Sequence, residues 1–101
     1  MAVCIIMEFP GMDAGQYEAL MNELRLRGVN PALPNGIVSN VVGFTTEGAH
    51  LVTVWNARQF FDDFLENRLT PALEVVGGSL QPRIMTFDVY KSYTASAAGQ
   101  G

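Results

Sequence analysis

Residues 51–73 read LVTVWNARQFFDDFLENRLTPAL. Leu51 to Trp55 are aliphatic, β-branched or aromatic, which suits a pleated strand, and Trp55 is the only Trp of the chain. After it the periodicity changes. Ala57, Phe60, Phe61, Phe64, Leu65 and Leu69 recur at helical spacing, with Arg58, Asp62, Asp63, Glu66 and Asn67 opposite. Asn56, with Gln59 three residues on, offers the N-cap. Thr70-Pro71 is expected to interrupt this helix and open a short one, with Thr as cap and Pro at the first helical position. That piece should run to about Val76 and end at Gly77-Gly78. The largest apolar side chains thus gather at one strand-to-helix junction, where Trp55 reads most economically as a core residue.

Working outward, Val3 to Phe9 is a nearly unbroken apolar run, interrupted only by Glu8, and predicts a strand buried on both faces. Pro10-Gly11 ends it. Asp13 and Gln16 then form a capping pair for a helix whose buried side carries Ala14, Tyr17, Leu20, Met21 and Leu24. Arg25 and Arg27 suit its last turn, and Gly28 is placed to end it. Asn30 to Gly36, with two prolines, reads as a loop. Ile37 to Thr45 and His50 to Trp55 read as antiparallel neighbours joined through Thr46-Glu47-Gly48-Ala49. Arg83 to Tyr93 alternates as a last strand.

The order is βαββαβ, an α+β ferredoxin-like plan with a four-stranded antiparallel sheet and helices on one face. The other face is not polar. Met85, Phe87 and Val89 share one side of the last strand against Ile84, Thr86, Asp88 and Tyr90. Leu51, Thr53 and Trp55 oppose His50, Val52 and Val54. Ile37, Ser39 and Val41 are set against Val38, Asn40, Val42 and Phe44. A half-solvated sheet alternates more cleanly. A second copy of the sheet is the simplest cover, which predicts a homodimer.

Composition narrows the function classes. The 101 residues suffice for one domain, placed at 1–93, with a small polar tail, 94–101, expected to be disordered. Hydrophobic residues are 49% and charged ones 16%, which excludes a disordered chain. The net charge of −4 and scattered Lys and Arg speak against nucleic-acid binding. No segment has the roughly 20 apolar residues of a membrane span, and the N-terminus lacks a signal-peptide pattern. A cytoplasmic protein is the expectation. Cys4 is alone, so it reads as a small buried hydrophobe.

Several residues carry possible chemistry. His50 is the only His and a possible general base, although its place beside a hairpin also suits an inert exposed side chain. Glu8 and Asp88 lie on strands that the topology makes neighbours; burial would make one an acid or base, whereas a place at the sheet rim would leave both solvated. Tyr17 and Tyr90 can aim hydroxyls into a pocket or serve as amphipathic core. Asn40, Ser39 and Thr53 can bind a substrate carbonyl or bridge a dimer interface. One His and one Cys, far apart, give no metal motif, and no phosphate loop or activated nucleophile is recognisable. No metal or other cofactor is expected.

The chain resembles the dimeric α/β-barrel superfamily near its antibiotic-biosynthesis-monooxygenase-like branch. The resemblance rests on Glu8-Phe9-Pro10-Gly11-Met12, on Val54-Trp55 followed by Phe60-Phe61 and Phe64-Leu65, and on Arg68-Leu69-Thr70-Pro71-Ala72-Leu73. It covers residues 1–93. It implies two sheets packed face to face into a homodimeric α/β barrel, with a small-molecule pocket between each sheet and its own helices. It also implies a function: a cofactor-independent monooxygenase, or a cyclase or isomerase of secondary metabolism, acting on an aromatic or polyketide-like molecule. Trp55 resembles the pocket Trp of the oxygenases, and Phe60, Phe61 and Phe64 would wall the cavity or pack beneath it. Two departures stand out. The helix from Ala57 to Leu69 lacks the axial His of haem-degrading members, and Leu51 stands where the oxygenases place an Asn. A non-catalytic ligand-binding or assembly module is the alternative reading.

Overall fold

The computed structural model describes residues 1–26, 33–77 and 81–93. Gly28, the start of the Asn30–Gly36 loop, Gly78 and the 94–101 tail lie outside the described residues. The elements follow the order β1 (Val3–Pro10), α1 (Ala14–Leu24), β2 (Ile37–Thr45), β3 (Gly48–Trp55), α2 (Arg58–Phe64), a π-helical turn (Leu65–Leu69), α3 (Thr70–Val76) and β4 (Arg83–Asp88). The strands form one sheet in the order β2-β3-β1-β4, with every pairing antiparallel. This is the ferredoxin-like α+β arrangement expected from the sequence.

β1 is central, bonded to β3 on one side and β4 on the other, so its apolar run meets neighbours along both edges. Val3, Ile5, Met7 and Phe9 turn to the helices and are buried. On β3 the same side carries Ala49, Leu51, Thr53 and Trp55, again all buried. α1 begins as the sequence predicts. Asp13 accepts the Gln16 N–H at 2.8 Å, and the Gln16 side chain accepts the Asp13 N–H at 3.0 Å.

α1 ends earlier than the Gly28 stop expected from the sequence. Arg25 takes the left-handed conformation at φ 60°, and the Leu26 N–H reaches back to the Met21 carbonyl at 2.8 Å. This closure lets Leu26 fold back against the core. The β2–β3 hairpin is also tighter than expected, because Thr45 pairs with Gly48 and β3 starts two residues before His50. Gly48, at φ 139°, has no room for a Cβ: one would run into the Phe9 carbonyl.

Four further expectations are corrected. A bulge between Ile37 and Ser39 moves Ile37 to the helix side of β2, beside Asn40 and Val42 rather than Ser39 and Val41. Asn56 does not cap α2; its N–H bonds to the Gly36 carbonyl at 2.8 Å, and Ala57 holds the cap position without a side-chain bond. Thr70-Pro71 does not break the helical path, since Leu69 and Thr70 both keep helical backbone angles through a π turn. β4 ends at Asp88, five residues short of Tyr93.

The helix-free face carries Val41, Met85 and Phe87, which are 66%, 60% and 50% exposed. Cys4, on the same face of β1, is buried between Val54 and Phe87, and its burial pushes the thiol pKa up. No helix among the described residues is long and apolar enough to cross a membrane.

Candidate functional site

The junction at residues 51–73 builds one wall of a cavity of about 180 Å³ between the sheet and its helices. Alternation along β3 directs Leu51, Thr53 and Trp55 into it, and Met7 and Phe9 enter from β1. Tyr17 and Leu20 line it from α1, Phe64 and Leu69 close it from the second helical segment, and Asn40 enters from the edge strand β2. Among the described residues, none that lines it is Asp, Glu, Lys, Arg or His. A larger hollow of about 390 Å³ lies between the end of α1 and the π turn, but it is a shallow surface groove edged by Glu23, Arg25 and Arg68. The smaller, more enclosed space is the better ligand site.

Trp55 is fixed from several directions. Its indole N–H donates to Thr53 Oγ1 at 2.9 Å, and the Thr53 hydroxyl donates to the Ile5 carbonyl at 2.9 Å. Phe61 meets the indole edge-on at 5.6 Å between centroids, and Phe64 lies tilted at 5.6 Å. The polar groups at the base of the site are therefore spent on one another. Those left for a ligand are the Tyr17 hydroxyl and the Asn40 amide, which make no hydrogen bond among the described residues. Tyr17 packs edge-on against Phe44 at 5.9 Å. Burial, and then the nearby charge of Glu18, raise its pKa, so at neutral pH the phenol is a hydrogen-bond donor and not a base.

Of the residues singled out from sequence, the structure brings Tyr17, Asn40, Thr53, Trp55 and Phe64 to this cavity. Phe61 supports Trp55 from behind and does not line it. Phe60 is half-buried over Gly36, where a Cβ would run into the ring, and Gly36 separately takes a φ of 86°. Tyr90 lies beyond β4 and is 93% exposed.

His50 and Glu8 pair across β3 and β1 on the opposite face of the sheet, so neither reaches the cavity. His50 Nδ1 stands 3.8 Å from Glu8 Oε2, and His50 Nε2 is 2.7 Å from Thr45 Oγ1. Asp88 does not join Glu8. β1 and β4 are neighbours, but Asp88 lies opposite Val3 and Glu8 opposite Arg83, at the two ends of the pairing. The sequence did not single out Met7, Phe9 or Leu20 as lining; their spacing marks buried faces but does not separate cavity wall from solid core. Among the described residues, no cluster of three or more His, Cys, Asp or Glu is suited to hold a metal ion.

No family model matches the sequence, and no curated protein matches it. Solved structures do. One, from Chloroflexus aurantiacus, is assigned by its description to the antibiotic biosynthesis monooxygenases; it is 16% identical, with a TM-score of 0.63 over 93% of this chain and 98% of that one. A variant of SnoaB, a cofactor-independent oxygenase from Streptomyces nogalater, is 13% identical, with a TM-score of 0.61 over 90% and 95%. A dimeric ferredoxin-like protein of unknown function from Thermobifida fusca is 14% identical, with a TM-score of 0.60 over 88% and 92%. The chain has the ferredoxin-like fold of the antibiotic-biosynthesis-monooxygenase-like proteins. At these identities the likeness is one of fold.

Proposed function

We propose that the protein is a homodimeric small-molecule enzyme that works without a cofactor, as a monooxygenase or as a cyclase or isomerase. The observation that carries this reading is the partly enclosed cavity ending on a fixed Trp55, with no charged side chain among its described lining residues and two hydrogen-bonding groups at its wall. A phenolic or ketonic substrate would sit with its ring on Trp55 and Phe64. The Tyr17 hydroxyl and Asn40 amide would hold its oxygen as negative charge develops there, while the proton it loses passes to solvent water at the exposed Asn40 side of the site. On this reading the chemistry falls to Tyr17 and Asn40, with Trp55 and Thr53 shaping the site. His50 and Glu8 would lie between the two sheets of the dimer. The likeness to an oxygenase described as cofactor-independent supports the assignment.

One observation favours a second reading, a non-catalytic ligand-binding module: among the described residues, no side chain lining the cavity is a base at neutral pH. The two separate experimentally. Native mass spectrometry of protein purified from its host is expected to show a dimer carrying a small molecule. Incubating that ligand with the protein in air, without added cofactor, should convert it. Gain of oxygen marks a monooxygenase, and rearrangement at constant mass marks a cyclase or isomerase. A bound ligand recovered unchanged would leave the binding module as the function.

A further inference from the structure

We infer that the cavity is selective for a single-ring, uncharged molecule bearing one hydroxyl or carbonyl, and that it rejects fused-ring and ionised ligands. This rests on the small-molecule reading given above and narrows its ligand class. Size supplies the first limit. A cavity of about 150 Å³ lined by Leu, Ile and Phe takes up benzene, whereas sites for drug-sized ligands run from about 300 Å³ upward. At about 180 Å³ this cavity holds one ring with a small substituent. A second fused ring would have to displace Trp55 or Phe64. Trp55 is tied to Thr53 and braced by Phe61, and Phe64 also carries the Arg68 guanidinium 5.7 Å above its ring. Close-packed walls of this kind resist even small increases in volume.

Charge supplies the second limit. Among the described residues the lining has no ionisable side chain other than Tyr17, so an anion or cation would surrender its hydration and gain no counter-charge from them. Polar capacity supplies the third. Thr53 and Trp55 satisfy each other and the Ile5 carbonyl, which leaves the Tyr17 hydroxyl and the Asn40 amide. Asn40 pairs in register with Thr53 on the edge strand and is exposed, so it stands at the open side of the site. Together these two groups offer donors and an acceptor at one place, enough for one oxygen function. A ligand with polar atoms at both ends would bury one of them unpaired beside Leu51 and Phe64.

The Trp55 indole N–H gives a single reporter resonance in nitrogen-labelled protein, since the chain has one Trp. Titrations with p-cresol, toluene, a naphthol and p-toluate test the inference. p-Cresol should shift the resonance saturably, and toluene should bind about tenfold more weakly, the worth of one hydrogen bond. The naphthol should also bind at least about tenfold more weakly than p-cresol, and the p-toluate anion should give no shift. Asn40→Leu should bring p-cresol down to the affinity of toluene. A naphthol or p-toluate that binds as well as p-cresol overturns the selectivity, while the cavity itself stands. Asn40→Leu and Tyr17→Phe variants that both retain full p-cresol affinity overturn the polar recognition. If toluene and p-cresol both leave the resonance of folded protein unmoved, the small-molecule reading falls and this inference with it.

Discussion

Thr53 holds two hydrogen bonds at once, accepting from the Trp55 indole and donating to the Ile5 carbonyl, in a place where water has little access. Thr53→Val keeps the shape and removes both. The indole N–H would then be a buried donor without a partner, at a cost of about 1–3 kcal/mol. Urea denaturation should show a lower midpoint with an unchanged slope, and Thr53→Ser should recover most of the loss. An unchanged midpoint for Thr53→Val would mean that water replaces the hydroxyl. The sequence placed Thr53 and Trp55 on one face correctly, because period-two alternation is unambiguous in a short strand. It left the hydroxyl open between substrate and interface, since its acceptor lies on β1, 48 residues away. The same limit applies to His50 and Glu8. Each residue type suggested catalysis, but only pairing with β1 shows that both occupy the face away from the cavity.

At the level of elements, the helix after Trp55 shows how a local rule is overridden. Pro71 has no N–H to offer and its ring presses on the carbonyl one turn back, so a helix stop at Thr70 was the natural reading. The chain instead widens into a π turn, in which the Thr70 N–H reaches the Leu65 carbonyl, and continues into α3. From this turn Arg68 donates through Nη2 to the Leu24 carbonyl at 2.7 Å, satisfying an end group of α1. Arg68→Met keeps much of the apolar stem but removes the donor. Its expected cost is about 1 kcal/mol, because the guanidinium is largely solvated. The more specific consequence is local: amide exchange at the end of α1, at Arg25 and Leu26, should quicken relative to its capped start. Uniform quickening along α1 would show that Arg68 acts on the whole core instead. The bulge at Val38 escaped the sequence for a related reason. Alternation continues on either side of a bulge, and only the partner strand reveals that one extra residue has been inserted.

For the whole molecule, the decisive feature is a sheet with two apolar faces and helices on one of them. That much was legible, because Val41, Val52, Met85 and Phe87 fall at alternate positions where polar residues would stand in a solvated sheet. The expected cover, a second copy, is a claim about assembly and is tested as such. Val41 lies on edge strand β2 and Phe87 on edge strand β4, at opposite margins of the open face. If two sheets pack face to face, both margins are buried, and a charge at either one must be desolvated against apolar neighbours. Sedimentation should therefore show a dimer for the natural chain and monomers for both Val41→Lys and Phe87→Glu. Far-ultraviolet dichroism should be unchanged, since both side chains are already exposed in the single subunit and neither supports its core. Dissociation by Phe87→Glu alone would point to pairing along the β4 edge in place of the full face. A natural chain that sediments as a monomer would leave the exposed Val, Met and Phe side chains facing water, and would remove the dimer from the proposed function while leaving the cavity beneath Trp55 intact.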